Sequence, residues 1–196
     1  MGEIKSAAEI AREKLENLGA VTDEERLKWK YVPEGEKLAA RYIKEDYNLL
    51  TELNKYEKEA RKYVSLGASD IFVRNINLPR NEASRKMNKK VMEGLKAIKN
   101  DKVAVENVFT KMRRILDHYV QQGEQQKKQA FESLKVEFAA KVQQAIKQQT
   151  GIDTKMKIDV ERQPQFQQEW LKVQAQLDSQ YIKLLDEYRH ELAAIT

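Results

Sequence analysis

Apolar residues return along this chain at alternating steps of three and four, the spacing that gives an α-helix one buried face. Ser6 with Glu9 makes a capping box ahead of a helix that runs to about Leu18 and stops at Gly19. Thr22 with Glu25 makes a second box, opening a short helix that carries Leu27, Trp29 and Tyr31 and ends at Pro33 and Gly35. From about Glu36, the residues Leu38, Tyr42, Leu49, Leu53, Tyr56, Ala60 and Tyr63 predict one helix of about thirty residues ending near Gly67. Glu45 and Asp46 are the one interruption in its stripe. The segment from Ala68 to Pro79 mixes Ile71, Phe72, Val73, Ile76 and Leu78 with Asn75, Asn77 and Pro79, and reads as irregular or partly extended. Asn81 then caps a helix to about Asn100, with Met87, Val91, Leu95 and Ile98 along one side.

Asp101 caps a longer helix whose stripe of Val105, Phe109, Met112, Leu116 and Val120 resumes with Phe131, Leu134, Phe138, Val142 and Ala145 before Gly151. Between the two halves, Gln121 to Gln129 holds no apolar residue, so the chain either continues there as a solvated helix or folds back at Gly123. Continuation is the expectation. After Gly151 the period changes: Ile152, Thr154, Met156, Ile158 and Val160 alternate with charged residues, as in a half-buried strand. Its one plausible partner is Ile71 to Leu78, giving either a small two-stranded ribbon or an extended linker lying on helices. Pro164 suits the first turn of a last helix, whose seam reads Phe166, Trp170, Val173, Leu177, Tyr181, Leu184, Tyr188, Leu192 and Ile195.

The fold class implied is all-α: an elongated helical bundle with long coiled-coil-like helices and at most a minor two-stranded element. Residues 1–100 form an N-terminal helical part and residues 101–196 a long helix, a linker and the C-terminal helix, packed together as one domain. The helix-association seam from Phe166 to Tyr188 needs partner helices, so self-association or a protein partner is expected.

Composition agrees, with only 7 Gly and 3 Pro in 196 residues and no Cys. The lack of cysteine removes disulfides, thiolate nucleophiles and cysteine-ligated metals, and fits a cytoplasmic chain. No apolar run approaches the ~18 residues of a membrane span, and the first residues do not form a signal-peptide core. The formal charge of +5 is concentrated between Arg80 and Lys102. There Arg85, Lys89, Lys96 and Lys99 share the helix side opposite Met87, Val91, Leu95 and Ile98, a candidate face for nucleic acid or another polyanion. Charged residues on the wet side of a core helix explain it equally well.

Catalytic and cofactor signals are thin. No phosphate-cradling glycine loop is present, and Gly67-Ala68-Ser69 lacks the closing glycine of a nucleophile elbow, leaving Ser69 as a turn residue or cap. Glu187 and His190 have the Glu-x-x-His spacing of di-iron bundles, but Ile115 stands three residues before His118, so the second half of that motif is missing. A helical-bundle enzyme or metal protein is therefore the least favoured class, with no catalytic, cofactor or metal residue to name.

The opening Met1-Gly2-Glu3-Ile4-Lys5-Ser6, ahead of a short helix and a Gln/Lys-rich coiled coil, resembles a group of uncharacterised bacterial helical proteins. The same six residues fit a loose myristoylation pattern, but the Ser6–Glu9 capping box accounts for them. The resemblance implies a bacterial cytoplasmic protein and brings no activity, cofactor or site.

Overall fold

The computed structural model describes residues 22–45, 47–151 and 159–195. The helix expected from Ser6 to Leu18, the opening hexapeptide, and residues 152–158 of the alternating segment lie outside the described residues. Among the described residues seven α-helices follow one another: α1 (Asp23–Lys44), α2 (Leu49–Leu53), α3 (Lys58–Arg74), α4 (Glu82–Ile98), α5 (Lys102–His118), α6 (Glu124–Thr150) and α7 (Pro164–Ala194). A π-helical turn, Tyr119–Gly123, joins α5 to α6, and a 3-10 turn, Val160–Arg162, precedes α7. No strand occurs among the described residues. The described residues divide into two compact units, one of those up to 72 with 93–99 and one of 73–92 with those from 100 onward.

In the first unit, the expected capping box starts α1: Glu25 N–H donates to Thr22 Oγ1 at 3.2 Å, and Thr22 N–H donates to Glu25 Oε2 at 2.9 Å. Pro33 and Gly35 do not end α1, and Gly67 does not end α3. Both corrections have one cause. A Cβ on Gly35 would lie 2.0 Å from the carbonyl oxygen of Val64, and a Cβ on Gly67 would lie 2.1 Å from that of Val32. The two helices meet backbone to backbone at these glycines, each directing a hydrogen at a carbonyl of the other helix. Ala39, Ala60, Val64, Ala68 and Phe72 are buried in the same unit, and this packing offsets the hydrogen bond that Pro33 removes from the interior of α1.

The single helix expected from Glu36 to about Gly67 is three helices. Lys44 ends α1 with Glu45 extended, Asn48 caps α2 by accepting from Thr51 N–H at 3.2 Å, and α3 starts afresh at Lys58. Tyr47 fills the break. Its hydroxyl donates to the Leu38 carbonyl at 2.6 Å, and its ring meets Tyr42 edge-on, as Phe72 does.

In the second unit, α5, the π turn and α6 run on as one helical length, so the expected continuation through Gly123 holds. Helix α7 packs against both α5 and α6. The pairs Lys111–Glu191, Tyr119–Tyr181, Phe131–Trp170 and Lys135–Glu161 descend in order, which makes α7 antiparallel to that length. Leu134, Phe138, Val160 and Phe166 form a core cluster where α6 meets the start of α7, with Phe131 edge-on to both Phe166 and Trp170. Gly151 closes α6 at a φ of 70°, and Pro164 opens α7, both as expected.

The expected irregular stretch is helix as far as Arg74 and only then extended. Its backbone groups are met by side chains instead of a second strand. Asn88 accepts from Asn77 N–H at 2.9 Å and donates to the Asn77 carbonyl at 2.6 Å, while Arg189 donates to the Ile76 carbonyl. Ile76 and Leu78 are buried beside them. Val160, expected at the end of a strand, is buried at the start of the 3-10 turn.

Candidate functional site: a groove beside a buried ionic cluster

The seam read along α7 is straight, but the core turns away from it. Phe166 is buried and Trp170 packs on the core cluster. Farther along, Asp178, Leu185 and Leu192 are the buried residues, and Leu184 is 42% exposed. The seam is buried at its two ends, Phe166 and Leu192, and between them the core takes Asp178 and Leu185, each one position along from Leu177 and Leu184. Val173, Leu177, Tyr181 and Leu184 emerge into an open groove of about 720 Å³, together with Gln176 and Gln180 from α7 and Arg114, Ile115, His118 and Gln126 opposite.

The groove wall is tied to the core by aromatic and ionic contacts. His118 Nδ1 lies 3.0 Å from the Tyr181 hydroxyl, and the Tyr181 ring stands edge-on to Tyr119 with centroids 5.1 Å apart. Tyr119 is fully buried in the π turn and donates to Asp178 Oδ1 at 3.1 Å. Lys127 Nζ lies 2.9 Å from the same carboxylate oxygen and donates to the Tyr119 hydroxyl at 2.5 Å. Arg80 donates to Asp178 Oδ2 at 2.8 Å. Asp178 is 3% exposed, so a carboxylate is held inside the unit by two cations and a phenol.

Burial opposes the charge on Lys127, but hydrogen bonds to Tyr119 and Asp178 and the carboxylate's charge outweigh it and hold its pKa above the ordinary lysine value. Burial raises the Tyr181 phenol, helped by Tyr119 and Asp178. The π geometry makes the arrangement possible. It places Tyr119 and Gly123 both inside, and a Cβ on Gly123 would come 3.1 Å from the Tyr119 ring.

Sequence reasoning missed this cluster. The Gln121 to Gln129 tract was expected to be wholly solvated, yet Gly123 is buried and the Lys127 side chain is only 13% exposed. The available signal was an aspartate beside Leu177 in an otherwise apolar seam. The candidate polyanion face is also altered: Arg85, Lys89 and Lys96 are exposed, but Lys99 is buried and burial lowers its pKa. Lys99 is packed into the first unit and does not present its charge on an open face. Ser69, expected at a turn or cap, is buried within α3. Glu187 and His190 are both exposed, and no group of three metal-ligating side chains occurs among the described residues.

A helical bundle with an open groove along an antiparallel helix pair is the class that this geometry defines. The chain belongs to the family of unknown function DUF6657, whose pattern matches residues 50–194. That span contains α5, α6 and α7, and with them the groove and the ionic cluster. No curated protein and no solved structure matches the chain. Among the described residues, no helix is long and apolar enough to cross a membrane.

Proposed function

We propose that this chain is a helical interaction protein that pairs with a second copy of itself through the open strip of α7. The observation that carries the reading is the apolar wall of the groove: Leu184 is exposed and Leu177 half-buried there, Val173 closes it against the core cluster, and no charged side chain of α7 joins them. Heptad-spaced apolar residues left open along a helix are what coiled-coil association uses.

Self-pairing is favoured over another occupant by the charges beside the strip. Lys172 and Glu187 are exposed, on the same flank of α7 and at opposite ends of the strip. In an antiparallel pair, same-flank positions meet, so a two-fold near Leu177 to Gln180 brings Lys172 of each copy toward Glu187 of the other. The same operation sets Val173 against Leu184 and Leu177 against Gln180. The absence of cysteine suits such a protein to a reducing cytoplasm.

Light scattering after size exclusion tests this. The parent chain is expected to elute as a dimer at low and high salt, and Leu177→Asp with Leu184→Asp as a folded monomer. A monomeric parent, or a dimer untouched by the two substitutions, overturns the reading. A monomer that co-purifies with nucleic acid and sheds it in salt would overturn it in favour of polyanion binding through Arg85, Lys89 and Lys96.

A further inference from the structure

Self-pairing accounts for the α7 wall of the groove and leaves the facing wall unexplained. Arg114 and His118 stand on that wall one turn apart on α5, with Gln126 farther along on α6. Because the helix pair is antiparallel, Arg114 and Leu184 lie at one end of the groove, with His118 and Tyr181 next. Gln126, Val173 and Gln176 lie toward the other end, about 18 Å away at ~1.5 Å per residue. One end is basic and the rest is uncharged.

No carboxylate lines the groove. Arg114 has no ion-pair or hydrogen-bond partner among the described residues, although Arg113 beside it is paired with Glu106. The His118 ring engages only its Nδ1, against the Tyr181 hydroxyl; a ring that accepts there carries its hydrogen on Nε2 and can donate it. Behind the Tyr181 wall, Lys127 and Arg80 share the single carboxylate of Asp178, so the ionic cluster adds an excess positive charge to the same region. A cleft with apolar walls and charges of one sign concentrates the opposite sign.

We infer that the groove binds a single long-chain carboxylate, its head paired with Arg114 and Nε2 of His118 and its chain laid along Leu177 toward Val173. The guanidinium offers a carboxylate two parallel N–H donors, which a cationic or uncharged head cannot use. A volume of about 720 Å³ lies in the range of small-molecule sites, and walls on two sides suit one chain and not the face of a bilayer. The same apolar residues would meet a second copy, so ligand and partner exclude one another. That competition rests on the self-pairing reading, and the site itself does not.

Titration calorimetry of the full chain with sodium dodecanoate, kept below its micelle-forming concentration, tests the site. One dodecanoate per chain is expected to bind. Dodecyltrimethylammonium, the same tail on a cation, is expected to bind at least about tenfold more weakly, and butanoate, the same head without the tail, to give no binding heat. Arg114→Gln removes an exposed charge without a partner, so it is expected to leave the thermal midpoint unchanged and to weaken dodecanoate by about tenfold. Equal affinity for the two tailed ions, or a dodecanoate affinity untouched by Arg114→Gln, overturns the site. On the scattering column, saturating dodecanoate is expected to convert the dimer to monomer, and a dimer that persists with the ligand bound overturns the competition. A parent that is already monomeric sinks self-pairing alone, and the calorimetry still decides the site.

Discussion

The α1–α3 contact and the α7 contact with α5 and α6 solve one problem, fixing two helices against each other, by opposite means. At the first, glycines bring backbones together, with carbonyl oxygens where side chains would begin. At the second, aromatic rings fill the space and an ionic cluster ties the helices together. The glycine contact admits one arrangement, because any turn of α1 about its axis would drive a Cβ into α3. The side-chain contact joins apolar packing to a buried carboxylate held by Lys127, Tyr119 and Arg80. Shape alone specifies the first crossing, and packing with charge the second.

Adding side-chain atoms should break the first contact most severely. Gly35→Ala with Gly67→Ala is expected to cost about 4 kcal/mol, read as a drop in the urea midpoint, despite alanine's better helix propensity. At the second contact, Lys127→Met strands much of the Asp178 charge and is expected to cost about 2 to 3 kcal/mol, less than a fully orphaned ion because Arg80 and Tyr119 remain. Adding Asp178→Leu should recover most of that loss in a double-mutant cycle. A pair that costs as much as the single change would mean that the cluster stabilises the unit outright and does not merely direct it.

Alkaline titration sharpens the same contrast through two lysines. Lys127 has a raised pKa when folded, so its contribution is complete below about pH 10.4, the ordinary lysine value, and is lost as pH climbs through the raised one. Lys99 has a lowered pKa through burial, so it penalises folding below that value, and the penalty fades as pH rises toward 10.4 or so. Urea midpoints between about pH 8 and 11 should fall less steeply for Lys127→Met and more steeply for Lys99→Met than for the parent. The smallest effect is reserved for the strip. Leu184→Gln should change stability by less than about 0.5 kcal/mol while weakening self-association, measured by dilution on the scattering column.

Much of the fold was legible because helices announce themselves by period and caps: the Thr22–Glu25 box, Asp101, Gly151 and Pro164 all act as read. What was illegible is what depends on a distant neighbour. Pro33 and Gly35 look like a helix end until α3 supplies a surface that only glycine can approach. The break after Lys44 is hidden because Leu49 and Leu53 resume the spacing that Leu38 and Tyr42 began, and periodicity is blind to a gap that keeps phase. The groove was half legible. Its apolar wall was read as part of an association seam along α7, and which part of that line stays open depends on where the core lies. Asp178 was marked only by standing beside Leu177 in an apolar seam, and Lys127 was invisible, since nothing in its own sequence position distinguishes a buried partner from a solvated one.

The π turn has a consequence for how this chain tolerates changes in length. A single residue inserted into an α-helix swings everything beyond it by about 100°, which would carry Phe131, Leu134 and Phe138 off the face that α7 covers. Five residues of wider winding, Tyr119–Gly123, absorb one such residue, so the apolar positions on either side keep a common direction. The turn is thus a loop of slack taken up inside a helix. Removing one residue within it is expected to return the turn to regular α-helix with its two halves still in phase, whereas the same deletion elsewhere in α5 or α6 would put them out of phase.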